Sequence, residues 1–210
     1  MKKIMVFALL FLMLINTSMR AQEENGFRFT LKTNPLAALG GPLYVAFFPI
    51  TGEYKVLFEA KTARKQSIEA GIGLLGPSVL INLDEITNND SVSGLRTMGF
   101  RVQVAYKFFL TKEAAPEGFF VGPHFSYAKA RLENKDNPDN YFEASKINMN
   151  VLFGYQIITS GGFTLNIYTG LGLKLREYVF SDETQDTWDF KTGNNVAPSV
   201  PFGFTFGYAF

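Results

Sequence analysis

The chain has 210 residues, 20 Lys and Arg against 19 Asp and Glu, a net charge of +1 and no cysteine. This length points to a single domain, and the balanced charge argues against a nucleic-acid binder, which carries a basic patch or stripe. The missing thiols exclude disulfides, Cys-ligated zinc, a thiol nucleophile and a lipoprotein anchor. Phe, Tyr and Gly are abundant, at 22, 9 and 19, a mixture expected of strands with one aromatic face and one small-residue face.

At the N-terminus Lys2 and Lys3 precede an apolar run from Ile4 to Ile15. Thr17, Ser18 and Ala21 follow, before Glu23 and Glu24. This order is that of a signal peptide. The run of about a dozen residues is too short to cross roughly 30 Å of hydrocarbon as a helix. Cleavage after Ala21 is expected, although Met19 is bulky for such a site; an uncleaved anchor is the alternative. That makes residues 1–21 a signal peptide and 22–210 the mature domain. No later segment is apolar over about 18 residues, so no transmembrane helix is expected.

Along the mature chain the dominant pattern is alternation with period two, the mark of a strand with two different faces. Phe27, Phe29 and Leu31 alternate with Arg28, Thr30 and Lys32. Tyr54, Val56 and Phe58 alternate with Lys55, Leu57 and Glu59, and Ile68, Ala70, Ile72 and Leu74 with Glu69, Gly71 and Gly73. The longest example sets Met98, Phe100, Val102, Val104, Tyr106 and Phe108 against Gly99, Arg101, Gln103, Ala105, Lys107 and Phe109. A helix would scatter Arg101, Gln103 and Lys107 around its circumference, whereas a strand puts them on one side. The alternation continues through Phe119–Ala128, Lys146–Ile157 and Phe163–Arg176. In the final segment Phe202, Phe204, Phe206, Tyr208 and Phe210 oppose Gly203, Thr205, Gly207 and Ala209. Eight strands are expected, over 27–39, 51–61, 66–75, 95–110, 118–132, 143–158, 162–179 and 199–210.

The connections alternate in length. Short turns fall at Arg64, Pro116 and Ser160-Gly161-Gly162. Long connections fall at 40–50, 76–94, 133–142 and 180–198. Short turns on one rim and long loops on the other fit an all-β, eight-stranded antiparallel up-and-down transmembrane β-barrel. A soluble lipocalin-like carrier would also alternate, with its apolar face inward. Three features favour the inverse arrangement. The polar face is rich in Gly, Ala, Ser, Thr and Asn, which suit a lumen just wide enough for side chains. Aromatics cluster at strand ends, as at membrane interfaces: Phe27, Phe58, Phe108, Phe119, Phe163 and Phe210 on one rim, Tyr54, Phe100, Tyr127 and Tyr178 nearer the other. The polar face also carries both signs of charge, in Arg28, Lys32, Lys55, Glu59, Glu69, Arg101, Lys107, Lys146, Lys174 and Arg176. Such charges pair inside a lumen and would cost a few kcal/mol each facing lipid.

With Leu31-Lys32-Thr33-Asn34-Pro35-Leu36 and Thr51-Gly52-Glu53-Tyr54-Lys55, the chain resembles a small outer-membrane β-barrel family of unknown function found in Bacteroidota. That family has no established active site, so no site residue is carried over. The last strand, with Phe206, Tyr208 and Phe210 on one face, resembles the assembly signal of such barrels. The resemblance implies export by the secretion machinery, insertion into a Gram-negative outer membrane by the barrel-assembly machinery, and contact with outer-membrane lipid and lipopolysaccharide.

His124 and Ser126 are two apart and share a face. A His–Ser pair with an acid can activate a nucleophile, and His-x-Ser resembles outer-membrane lipid A deacylases. Glu133 is the nearest downstream acid. The pair falls on the small-residue face, away from lipid, so a structural histidine is the expectation. Gly71-Ile72-Gly73-Leu74-Leu75-Gly76 matches a dinucleotide-binding fingerprint but lacks the following helix that the motif requires. The long connections are acidic, with Asp84, Glu85, Asp90, Asp136, Asp139, Asp182, Glu183, Asp186 and Asp189. Oxygen-rich loops can hold Ca²⁺, but Asp136-Asn137-Pro138-Asp139 has no EF-hand pattern, so solvated loops and no metal are expected. Trp188 is a candidate surface anchor. The expectation is a non-enzymatic, monomeric barrel with no cofactor and no open pore, structural or surface-binding through Asp136, Asp139, Asp186 and Trp188. The alternatives are a lipid A or phospholipid hydrolase using His124 and Ser126, and a soluble ligand carrier.

Overall fold

The computed structural model describes residues 27–38, 51–77, 95–111, 115–134, 137–139, 141–180 and 195–210. The expected signal segment lies outside these residues. So do Asp84, Glu85, Asp90, Asp136, Asp182, Glu183, Asp186, Trp188 and Asp189.

The described elements are β1 (Phe29–Thr33), α1 (Pro35–Ala38), β2 (Thr51–Ala63), β3 (Gln66–Pro77), β4 (Leu95–Phe109), β5 (Gly118–Asn134), β6 (Tyr141–Ile158), β7 (Phe163–Phe180), β8 (Asn195–Ser199) and β9 (Phe202–Ala209). From β1 to β7 each strand pairs antiparallel with the next. β9 then pairs with β7 on one side and β1 on the other. Eight antiparallel strands therefore close into a barrel. β8 is a further short strand that continues along the same edge of β7: Phe163–Thr169 pair with β9, and Gly172–Arg176 pair with β8.

The expected strands from 51 to 179 match the observed ones to within a few residues. The two terminal strands differ. The first, expected over 27–39, is five residues long and gives way to α1. Asn34 causes the change: its side-chain oxygen and its carbonyl both lie 3.2 Å from the amide of Ala37, and Pro35 stands at the first helical position, where its missing N–H costs nothing. The last strand, expected over 199–210, begins earlier and is broken at Val200-Pro201. Pro201 has no N–H for a ladder, and its carbonyl instead accepts a hydrogen bond from Thr169 Oγ1 at 2.9 Å.

The short connections 64–65, 110–117 and 159–162 lie at one end of the barrel, with the start of β1 and the end of β9. Phe210 is tied there: its carbonyl accepts from the amides of Arg28 and Phe29 at 3.1 and 2.9 Å, and its own amide donates to Phe29 at 2.8 Å. A side chain at Gly207 would overlap the Leu31 carbonyl, so glycine lets β9 approach β1 at this closing ladder.

The two faces are sharply different. Outward positions carry large apolar side chains, exposed to 70% at Ile72 and 68% at Leu74, and Phe100, Val102, Val104, Val151, Phe153, Leu171 and Phe202 are exposed with them. Inward positions carry the polar groups: Thr30, Lys32, Lys55, Glu59, Glu69, Lys107, Ser126, Asn148, Asn150, Gln156, Asn166 and Thr205 are buried. Arg28 departs from the expectation. It precedes β1, is exposed, and does not join the inward set. Outward aromatic pairs occur at both ends, with Phe29 stacked on Phe58 at 5.6 Å near the short turns and Phe100 against Tyr127 at 5.9 Å toward the other end, where Phe142 and Tyr178, on the inward parity of their strands, stack at 5.8 Å.

Candidate functional site

The interior is built in layers. At the short-turn end Phe109, Ala115, Phe120 and Leu152 form an apolar cluster with Tyr168 against it. The 110–117 connection folds under the barrel to supply Ala115, whose amide donates to the Arg64 carbonyl at 2.8 Å. Lys65 Nζ donates to the carbonyl of Thr111 in the same connection. These contacts cap the base of the lumen.

Next comes a charge quartet. Lys32 Nζ lies 2.5 Å from Glu59 and 2.5 Å from Glu69; Lys107 Nζ lies 3.3 Å from Glu59 and 2.7 Å from Glu69. All four are buried, and the charges cancel. Neutral donors and acceptors complete the network. Thr30 and Ser67 hydroxyls donate to Glu59 at 3.2 and 2.5 Å. The Gln156 amide nitrogen donates to Glu59 at 3.0 Å and to the Pro116 carbonyl at 2.6 Å, while its oxygen accepts from Lys32 at 3.1 Å. Lys107 also sits 4.8 Å from the centre of the Phe120 ring. Buried ions are tolerated only with this degree of pairing.

Above the quartet is a layer of neutral polar groups, and it contains the His–Ser pair. His124 and Ser126 both face inward, between the exposed Pro123 and Phe125 and the half-buried Tyr127. Their partners are asparagines. Asn148 Nδ2 donates to Ser126 Oγ at 2.9 Å, and Asn150 Nδ2 lies 3.4 Å from His124 Nδ1. Glu133 is not with them. It sits roughly 30 Å further along the strand at about 3.3 Å per residue, on the opposite face, with its carboxylate 3.0 Å from Arg131 Nε. The structure therefore does not assemble a Ser-His-Glu set from these three residues. Asp139 is exposed in the turn between β5 and β6. Phe206, Tyr208 and Phe210 lie together on the outward face, with Tyr208 paired between Leu31 and Phe163.

Toward the long-loop end the interior turns cationic, with Lys55, Arg101, Lys146, Lys174 and Arg176. Among the described residues one carboxylate stands with them, Glu53, at 2.5 Å from Arg101 Nη1 and 3.8 Å from Lys55 Nζ. Alternation on β2 puts Glu53 on the same face as Lys55, a signal open to reading but absent from the sequence expectation. Gln156 was also visible only as a polar-face residue, because its role depends on a turn far away in the chain. Two glycines of the apparent fingerprint, Gly71 and Gly73, face inward: a side chain at Gly71 would overlap Leu57, and one at Gly73 would crowd Glu53 Oε1 at 3.0 Å. Gly76 faces outward beside the Tyr54 ring. Among the described residues no helix is long and apolar enough to cross a membrane and no cluster of acidic and histidine side chains is placed to hold a metal ion.

No family model, no curated protein and no solved structure matches this chain.

The quartet makes a stability prediction. Glu59→Gln leaves two buried ammonium groups facing one carboxylate and is expected to destabilise the barrel by about 3–5 kcal/mol, whereas the apolar pair Lys32→Met with Glu59→Leu costs markedly less than Glu59→Gln alone. Urea unfolding followed by far-UV circular dichroism measures both.

Proposed function

We propose that this chain is a non-enzymatic outer-membrane β-barrel of a Gram-negative bacterium, of the small Bacteroidota type that its sequence resembles, exported by its signal segment and inserted by the assembly machinery. The observation that carries this reading is the inversion of the two faces. Apolar side chains encircle the middle of the barrel wall, and the ions at that height are inside. A soluble monomer rarely exposes contiguous apolar patches beyond a few hundred Å². A soluble carrier places its apolar face around the ligand. A lipid-facing surface requires the arrangement found here, with aromatic pairs near both ends. With the short turns and both strand termini on the periplasmic side, the long acidic connections face outward. The role that follows is structural, or surface-binding through the outward rim.

The enzymatic alternative draws no support from the geometry of His124, Ser126 and Glu133.

Fractionation of host envelopes tests the address: the protein is expected in the outer membrane and to change gel mobility on heating, and a soluble species would overturn the proposal. Within the folded barrel Val102→Lys is expected to cost roughly 2–4 kcal/mol in lipid bilayers, while a soluble barrel would tolerate a lysine at this exposed position. Ser126→Ala is expected to leave the lipid A profile of the host unchanged; an altered profile in mass spectra would establish the hydrolase instead.

A further inference from the structure

We propose that the long-loop half of the barrel interior binds a small phosphate-type oxyanion among the cations Arg101, Lys146, Lys174 and Arg176, with Lys55 lower on the wall.

The register places Lys55, Arg101, Lys146 and Arg176 on one row that climbs the barrel wall, with Lys146 and Arg176 as direct neighbours near the long-loop end and Lys55 lower. Lys55 pairs with Gly73, Gly73 with Arg101, Arg101 with Ala128, Ala128 with Lys146, and Lys146 with Arg176. One continuous row of the barrel wall therefore carries a cation on β2, β4, β6 and β7. Of the intervening positions, Gly73 on β3 leaves room that the Glu53 side chain takes up, and Ala128 on β5 is small. All of these side chains point inward by alternation with exposed neighbours such as Val56, Phe100, Val102, Leu171 and Leu173. Lys146, Arg101, Arg176 and Lys174 are close enough to act on one another, with Glu53 beside them.

Among the described residues the charge is out of balance: five cations share the interior above the quartet with one carboxylate, Glu53, which is engaged by Arg101 and Lys55. Among the described residues no carboxylate pairs with Lys146, Lys174 or Arg176, and Arg101 Nε is buried with no hydrogen-bond partner. The contrast with the base of the same lumen is what gives this weight. There the chain matches two lysines with two glutamates and satisfies them with Gln156, Thr30 and Ser67. Like charges held together without counter-charge are costly, and a site of fixed cations fits an anion that accepts several charge-assisted hydrogen bonds. The forked donors of Arg101 and Arg176 suit a tetrahedral oxyanion better than a monovalent halide. The inference concerns the barrel interior and holds whether or not the barrel resides in a membrane.

The test uses the full folded protein in an uncharged detergent at low salt, with inorganic phosphate and pyrophosphate titrated by calorimetry. Both are expected to bind, pyrophosphate more tightly, with affinity falling as salt rises. Lys146→Gln and Arg176→Gln are each expected to weaken binding about tenfold. Glu53→Gln, which removes the competing carboxylate, is expected to tighten it, and Arg64→Gln in the exposed turn at the opposite end is expected to change nothing. Circular dichroism of each variant establishes folding, and the gain on Glu53→Gln keeps the test informative should a lysine or arginine variant fail to fold. Adding phosphatidic acid to the micelles separates two sources of the same chemistry: displacement of pyrophosphate assigns the cations to a lipid headgroup, and persistence to a soluble anion. Absence of binding to the wild-type barrel, or binding indifferent to Lys146, Arg176 and Glu53, would overturn the proposal.

Discussion

The structure depends on one constraint: ionised side chains are enclosed in a space only wide enough for side chains. Lys32, Glu59, Glu69 and Lys107 come from β1, β2, β3 and β4, and Gln156 joins them from β6. No ion of the quartet is satisfied within its own strand. Each strand must therefore hold its register for the others to be neutralised, because a slip of one residue would turn the ions outward and the apolar face inward. The network links strands that share no ladder, as when Lys32 on β1 reaches Gln156 on β6. The barrel wall and its contents specify each other.

Much of this was legible along the chain. Alternation revealed the strands and their two faces, because along the middle of the wall inward positions meet a crowded polar interior and outward ones an apolar surface. Arg101, Gln103 and Lys107 recurring at every second or fourth residue left no helical reading. The terminal strands were harder. Asn34-Pro35 is a local capping signal inside an apolar-polar pattern, and the pattern was read through it. Pro201 interrupts the final strand, and β8 before it is placed by a ladder with β7 that no neighbouring residue announces. The candidate site was less legible still. The sequence shows that Glu59, Glu69, Lys32 and Lys107 share a face. That they form one quartet requires the registers of β1 to β4, and that Gln156 joins it requires the closure of the sheet. Arg28 shows the reverse error, since its parity was right but it stands before the strand that would have turned it inward.

The interior also has a direction. Its base is apolar and capped by the 110–117 connection, its lower middle is ionic and neutral in sum, its upper middle is amide and hydroxyl, and its long-loop half is cationic. His124 and Ser126 lie between the balanced and unbalanced ionic layers, held by Asn150 and Asn148. Their position explains their residue types without chemistry: short polar side chains that hydrogen-bond across adjacent strands and fill the level between two charged ones.

The seam between β1 and β9 is the shortest ladder of the closed barrel, pairing Thr30–Thr33 with Phe206–Ala209. Every other wall ladder joins strands adjacent or nearly so along the chain. This one joins strands separated by almost all of it, so it carries the greatest loop-closure entropy and the highest contact order in the molecule. Sheet growth from β1 to β7 is able to proceed strand by strand, so the β1–β2 ladder sets Lys32 beside Glu59 and Glu69 without the seam. Closing the ring is what carries Gln156 on β6 across to Lys32 and Glu59 and shuts the ions away from water.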